Sequence, residues 1–188
     1  CILLFPCMLL QAIEVRYVKS GATGNGGDWE NASGSIQDMI DELEGVGGGE
    51  VWVGHGTYYP EKQLKDYYNL ISSEGDKYRS FFLKKNVRVF GGFKGDEIKR
   101  TDRHGKDHQT VLSGELDNGT NVFHVIVCTG DVGTARLDGF VIRGGKAADK
   151  YNTKSHDDFM FYGGHGGGIY VYKTPKLVLS HLILCHNE

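Results

Sequence analysis

Short apolar stretches, separated by glycine and polar residues, recur along the chain, and two of them share one spacing. The three apolar positions of the first stretch recur 42 residues further on in the second: Leu137, Phe140 and Ile142, then Leu179, Leu182 and Leu184. A polar insertion at 146–162 accounts for about 17 of the intervening residues, which leaves about 25, a length typical of one solenoid repeat. We therefore expect two neighbouring turns of a coil that share one interior row. Two strands of any sheet protein could share this spacing by chance, and that alternative stays open.

The same alternation of apolar and polar positions predicts one helix and a succession of strands. Ser35 begins the helix in a capping-box arrangement with Asp38. The apolar residues that follow have helical spacing until the glycines at 47–49 end the helix. The other predicted strands are short and mostly separated by glycine: 13–18, 50–53, 80–83, 87–90, 110–113, 123–127 and 136–137. The polar excursions at 61–79 and 95–108 are expected to be surface loops, and the helix is suited to cover an exposed first coil.

Composition changes this picture in two respects. The 188 residues include 28 glycines but only three prolines, which indicates repeated turns rather than disorder. The tract at 163–168 is almost entirely glycine and is expected to form a tight turn before the last strands. The formal net charge of −3 provides no basic field that would gather nucleic acid or an anionic membrane. Neither is therefore an expected partner.

The first ten residues form an uninterrupted apolar run that is too short to cross a bilayer as a helix. Residues 1–12 resemble the core and cleavage end of a secretory signal peptide, with a buried first strand or a capping segment as the alternative. We therefore expect a mature chain at 13–188 that is secreted or displayed at the cell surface and has no membrane span. No capping element follows the last strand, so the sequence is expected to be the first part of a longer coil. Cys128 and Cys185 lie in apolar strands, and a disulfide between them stays open.

Several motifs resemble those of a known family. YVKSGATGNG, GGEVWVGHGTY, VFGGF and LSG resemble the amino-terminal part of right-handed parallel β-helix proteins of the pectate-lyase-like superfamily, and they lie at 17–26, 48–58, 89–93 and 112–114. LDGF at 137–140 and GGGIY at 166–170 are similar to repeats of large secreted or surface β-helix proteins of Bacteroidetes type. The resemblance implies an all-β fold, a right-handed parallel β-helix with a short N-terminal capping helix. It implies little about activity, because the superfamily includes lyases, hydrolases and adhesins.

Lyases of this superfamily hold calcium with aspartates against an acidic sugar and use an arginine or lysine as the base. The nearest set in this chain, which stacked coils would bring together, consists of Glu115, Asp117, Asp138, Arg143 and Lys146. The alternative is that Asp117 lies in a turn, Asp138 caps a corner and the cations face water. No catalytic motif of the family matches residue by residue. No metal site and no cofactor are therefore expected, and calcium would enter only if the chain were a lyase.

Aromatic rings in the polar loops are the candidates for a ligand surface, because sugars stack on exposed rings. The better candidates are Tyr67, Tyr68, Phe161 and Tyr162. The alternative, equally open, is that these rings pack the loops onto the coil. Trp52 and Phe90 lie in predicted strands and are expected in the core.

The sequence as a whole predicts a β-helix scaffold that is adhesin-like or contacts a glycan, without catalysis in this segment. Its expected partner is a polysaccharide or a host or cell-surface glycan. The alternative is a carbohydrate-active enzyme, a polysaccharide lyase or glycoside hydrolase, acting on an acidic polysaccharide. The strong coil pattern beside a weak catalytic set favours the scaffold.

Overall fold

The computed structural model describes residues 13–68, 74–149, 153–156 and 159–188, so the expected leader at 1–12 lies outside the described residues. The described chain is mostly β. Its strands are β1 (Val15–Val18), β2 (Gly49–Gly54), β3 (Gly56–Tyr58), β4 (Phe81–Phe82), β5 (Val87–Phe93), β6 (Thr110–Ser113), β7 (Ile126–Thr129), β8 (Arg136–Asp138), β9 (Phe140–Arg143), β10 (Thr153–His156), β11 (Phe159–Tyr162), β12 (Ile169–Tyr172), β13 (Val178–Ser180) and β14 (Ile183–Cys185). Its α-helices are α1 (Ile36–Gly45) and α2 (Lys65–Tyr68).

All of these strands except β10 and β11 lie in three parallel sheets. The first sheet has the strand order β1-β2-β5-β8-β13, the second β14-β9-β6-β3, and the third β12-β7-β4. From β2 onward the chain contributes one strand to the first sheet, one to the second and one to the third, and then returns to the first. Each return places a new strand beside its predecessor in parallel register.

Equivalent apolar residues of neighbouring strands form continuous rows on the inner side of the sheets. In the first sheet the backbone register aligns Val51, Val89, Leu137 and Leu179. In the second sheet it aligns Tyr58, Leu112, Ile142 and Leu184. The pairings of Leu137 with Leu179 and of Ile142 with Leu184 confirm the register that the repeated spacing predicts. The first three residues of each row are buried, and the inner sides of the three sheets and α1 together form the main core.

Helix α1 begins and ends where the sequence predicts. The Ser35 side chain accepts a hydrogen bond from the Asp38 backbone N–H at 3.2 Å, which fixes the first turn. The apolar face of the helix, Ile36, Met39, Ile40 and Leu43, packs into the main core against the early strands. Beyond the helix, Gly47 and Gly48 have φ values of +99° and +123°, a conformation that favours glycine.

Two polar segments contain more regular structure than their sequence pattern predicts. The insertion at 146–162 contains an antiparallel pair, β10 and β11. The excursion at 61–79 contains α2 and a short 3₁₀ turn, Asp76–Tyr78. Both contribute rings to a second apolar cluster on the outer side of the third sheet, with Phe82 and Phe123. Packing of aromatic side chains onto the sheet stabilises local structure in segments whose sequence pattern is mainly polar.

Candidate functional site

Charged and aromatic side chains alternate on the outer face of the first sheet. Because successive residues of a strand point to opposite faces, the neighbours of the inner row point outward. The register aligns Glu50, Arg88 and Arg136 across β2, β5 and β8. It also aligns Trp52, Phe90 and Asp138. Trp52 and Phe90 are buried, as expected, but they belong to a separate aromatic cluster with Phe93 on this outer face.

Asp138 is the centre of the most complete polar network on this face. It is only 2% exposed, and its Oδ1 lies 2.5 Å from Arg103 Nη2 while its Oδ2 lies 3.1 Å from Arg136 Nη2. Ser180 Oγ donates to Oδ2 at 2.6 Å, and His181 Nδ1 lies 3.2 Å from the same oxygen. Burial alone would raise the pKa of Asp138, but the hydrogen bonds from Ser180 and Arg103 and the Arg103 charge lower it to about 2. Asp138 is therefore a fully engaged carboxylate at neutral pH.

The excursion after β5 folds back over this face and is held there by arginines. We call residues 94–108 the strap. Arg103 donates to the Gly91 carbonyl at 3.0 Å as well as to Asp138, and Arg100 forms an ion pair with the buried Glu50. Both guanidinium groups lie over the Phe90 ring, 4.6 and 5.4 Å from its centroid. Buried carboxylates and the face of an aromatic ring interact strongly with guanidinium groups. Arg100 and Arg103 therefore anchor the strap, whose other residues are mostly polar.

A groove of about 550 Å³ lies between the strap and the last strands. Its lining includes Arg103, Lys106, Asp138, Phe140, His181 and Ile183. Val141 and Ile183 provide apolar surface, Phe140 is buried in the core beneath it, and Lys106 is exposed on the strap. The His181 side chain is 75% exposed while its Nδ1 contacts Asp138. The groove thus combines an apolar surface with hydrogen-bond donors and an excess of cationic groups, an arrangement suited to a polar ring compound.

The five residues predicted to form a catalytic set do not lie together. Asp138 ends β8 in the first sheet, whereas Arg143 ends β9 in the second sheet. Arg143 instead lies 3.9 Å from Glu115, and Lys146 forms an ion pair with Glu188 at 2.7 Å. Asp117 lies in a turn that ends at Gly119, whose φ is +76°. Only Asp138 of this set lines the groove.

The four predicted ligand-binding rings take part in packing. Tyr67 donates from its hydroxyl to Asp41 at 2.5 Å and lies 4.6 Å, centroid to centroid, from Phe82. The hydroxyls of Tyr68 and Thr129 are 2.9 Å apart. Phe161 is 1% exposed and lies in the second apolar cluster, so its ring presents no surface to a ligand. Tyr162 is half-buried, with its ring 5.4 Å from that of His165.

Sequence reasoning missed Arg103, Lys106 and His181 as residues of the site. Arg103 and Lys106 lie three residues apart in a polar excursion, a pattern that water-facing cations also produce. His181 interrupts the apolar pattern of the last strands, and in the structure it has φ +51° between β13 and β14. That interruption is the one local signal that the sequence offers for a special position.

The two cysteines that the sequence left open do not pair. Cys128 and Cys185 are free thiols, so the structure contains no disulfide between them.

Across the described ranges, no three histidine, cysteine or acidic side chains come together as a metal site. In that same part of the chain no helix has the length and apolar character needed to cross a bilayer.

No protein-family model, curated protein or solved structure matches this chain.

Proposed function

We propose that this chain is a right-handed parallel β-helix scaffold with a short N-terminal capping helix, secreted or displayed at the cell surface, that contacts a glycan. The rotation of the chain through three parallel sheets supports the β-helix, and parallel crossovers are almost always right-handed. The continuous inner rows support it further, because stacked turns of a solenoid bury equivalent residues side by side.

The observation that carries the glycan-binding part of the proposal is the groove beside the strap. A sugar ring has apolar faces and polar edges. Val141 and Ile183 would pack against a face, while Arg103 and Lys106 would donate to hydroxyl or acidic groups at the edge. Asp138 is committed to Arg103, Arg136 and Ser180, which favours a role in holding the groove together over a role in catalysis.

The test is a binding titration of the protein against neutral and acidic oligosaccharides, followed by calorimetry. The variant Lys106→Ala removes a cation of the groove without touching the Asp138 network. Lys99→Ala is the matched control, because Lys99 is exposed on the same strap and does not line the groove. We expect about tenfold weaker binding for Lys106→Ala and no change for Lys99→Ala. Equal affinities of the two variants, or no glycan binding at all, would contradict the proposal.

A carbohydrate-active enzyme, a polysaccharide lyase or glycoside hydrolase, is the second candidate. It is favoured by one observation: the buried Asp138 contacts Nδ1 of an exposed histidine at the groove, an arrangement that orients an imidazole for proton transfer. The test follows unsaturated or reducing products from acidic polysaccharides, with and without calcium. Turnover that is lost in His181→Ala but retained in His55→Ala, a substitution of an exposed histidine elsewhere, would establish the enzyme and overturn the non-catalytic scaffold.

A further inference from the structure

His124 is a completely buried histidine on the outer side of the third sheet. Its side chain is 0% exposed, just before β7. The ring stacks on Tyr170 of β12 at a centroid distance of 4.8 Å and meets Phe161 of β11 edge-on at 4.6 Å. One ring nitrogen, Nδ1, lies 3.1 Å from the Gly166 carbonyl oxygen. Within the described residues the other nitrogen, Nε2, has no hydrogen-bond partner.

The ring therefore connects the third sheet to the last strand of the insertion and to the turn that follows it. We call residues 159–168 the β11 segment. Phe161 is its main apolar contact with the sheet, and the Gly166 carbonyl is its polar contact with His124. The ring occupies a position between these two contacts. A change in the charge of His124 would act directly on both.

The groups around His124 do little to stabilise the positive charge that its ring would carry after protonation. The Gly166 and Tyr162 carbonyls favour the charged ring, whereas burial and the nearby His165 oppose it. Tyr170 of β12 stacks on the His124 ring. Lys77 lies further away, with its Nζ 5.0 Å from the centroid of the Phe123 ring. Among the residues that the structure describes, these neighbours supply carbonyl dipoles, a phenol, a second imidazole and a lysine, but no carboxylate. A buried imidazolium without an acidic partner is costly.

We propose that His124 is an acid-sensitive latch, and that protonation of its ring releases the β11 segment from the third sheet and exposes the aromatic cluster beneath it. Burial lowers the pKa of His124 from 6.5 to about 4 in the closed state. Once the segment opens, the ring regains water and its ordinary pKa. The opened state then binds the proton more tightly, so the closed state is fully favoured above about pH 6.5 and loses that advantage as the pH falls towards 4. The latch is independent of any ligand in the groove.

Hydrogen exchange measured by mass spectrometry on the full chain tests this latch. After correction for the intrinsic pH dependence of exchange, the opening equilibrium of residues 159–168 is expected to rise on the order of 50-fold between pH 7 and pH 4.5. The strands of the first sheet should keep their protection. In His124→Phe the pH dependence of the segment should disappear, and in His165→Gln, the matched control, it should remain.

Two outcomes would overturn the proposal. One is a pH-dependent opening that persists in His124→Phe, and the other is a loss of protection that is uniform along the chain. A second measurement covers the case in which His124→Phe does not fold. Nuclear magnetic resonance of histidine-labelled wild-type protein should show one ring that stays neutral below pH 5, and normal titration of all the rings would contradict the latch.

Discussion

The side-chain amide of Gln37 pairs with the backbone of Phe82 in both directions. Phe82 N–H donates to Gln37 Oε1 at 2.8 Å, and Gln37 Nε2 donates to the Phe82 carbonyl at 3.1 Å. The N–H groups of Phe81 and Leu83 point to the other side, towards β7. Gln37 therefore takes the place of a neighbouring strand at the open edge of the third sheet, where unpaired backbone groups would otherwise invite another chain.

Replacing Gln37 by leucine should destabilise the protein by about 2–4 kcal/mol. The substitution leaves the N–H and the carbonyl of Phe82 without partners beneath α1, and each buried unsatisfied group costs about 1–3 kcal/mol. Urea unfolding measures the difference. Glu44→Gln on the same helix is the control, with an expected change within about 0.5 kcal/mol because Glu44 is exposed. Equal effects of the two substitutions would show that Gln37 does not protect the edge.

The paired leucines Leu137 and Leu179 should respond differently to truncation. Both belong to the same inner row, but Leu137 is 1% exposed and Leu179 is 40% exposed. Leu137→Ala should cost about 2–5 kcal/mol because it leaves a cavity, and Leu179→Ala about 1 kcal/mol. The measurement is again urea unfolding, with one substitution as the control for the other. A larger loss at Leu179 would contradict the inner row.

The Asp138 network should stabilise the protein at neutral pH and lose its effect in acid. The folded-state pKa of Asp138 is lowered from 3.8 to about 2. The contribution is therefore present above about pH 4 and is lost as the pH falls through 2. The wild type should exceed Asp138→Asn by about 2 kcal/mol at pH 7, and the two stabilities should converge near pH 2. Thermal unfolding across this range measures the convergence, and a difference that does not change with pH would exclude the ion pairs as its source.

Cys128 should resist alkylation in the folded protein. Burial raises the pKa of its thiol to about 12, so very little of the reactive thiolate forms at pH 8. Cys185 is only half-buried and should react faster. Iodoacetamide labelling followed by peptide mass spectrometry compares the two thiols directly, and labelling after denaturation is the control. Equal rates in the folded protein would place Cys128 at the surface and contradict the core of the third sheet.

The sequence predicts more of the fold than of the site, because the fold depends on local and repeated patterns whereas the site depends on contacts between residues far apart in sequence. The register of Leu137 with Leu179 and the cap formed by Ser35 depend on residues that are close in sequence or repeat at one spacing. The role of Gln37 depends on a strand 45 residues away. No local pattern distinguishes this buried glutamine from one that faces water.

Long-range contacts also explain why the sequence identifies Asp138 as a candidate residue but misses the other polar residues of the groove. Asp138 was a candidate from its place in the repeat, but its partners come from the strap and from the next strand of the sheet. Arg103 is 35 residues from Asp138 and has the sequence context of a surface loop. Glu115, Asp117, Arg143 and Lys146 are close to one another or to Asp138 in sequence, yet strand direction carries them to other places. The sequence shows which residues could bind a ligand or transfer a proton. Which of them come together in one site depends on loops, and the sequence pattern does not define the path of those loops.

The parallel stacking of strands determines both the groove and the latch, and backbone nuclear Overhauser effects test it most directly. The account predicts contacts characteristic of parallel strands between residues 136–138 and 178–180, and between 140–143 and 183–185, with Leu137 opposite Leu179 and Ile142 opposite Leu184. Close Hα–Hα contacts typical of antiparallel pairing between these segments, or a register shifted by one residue, would contradict it.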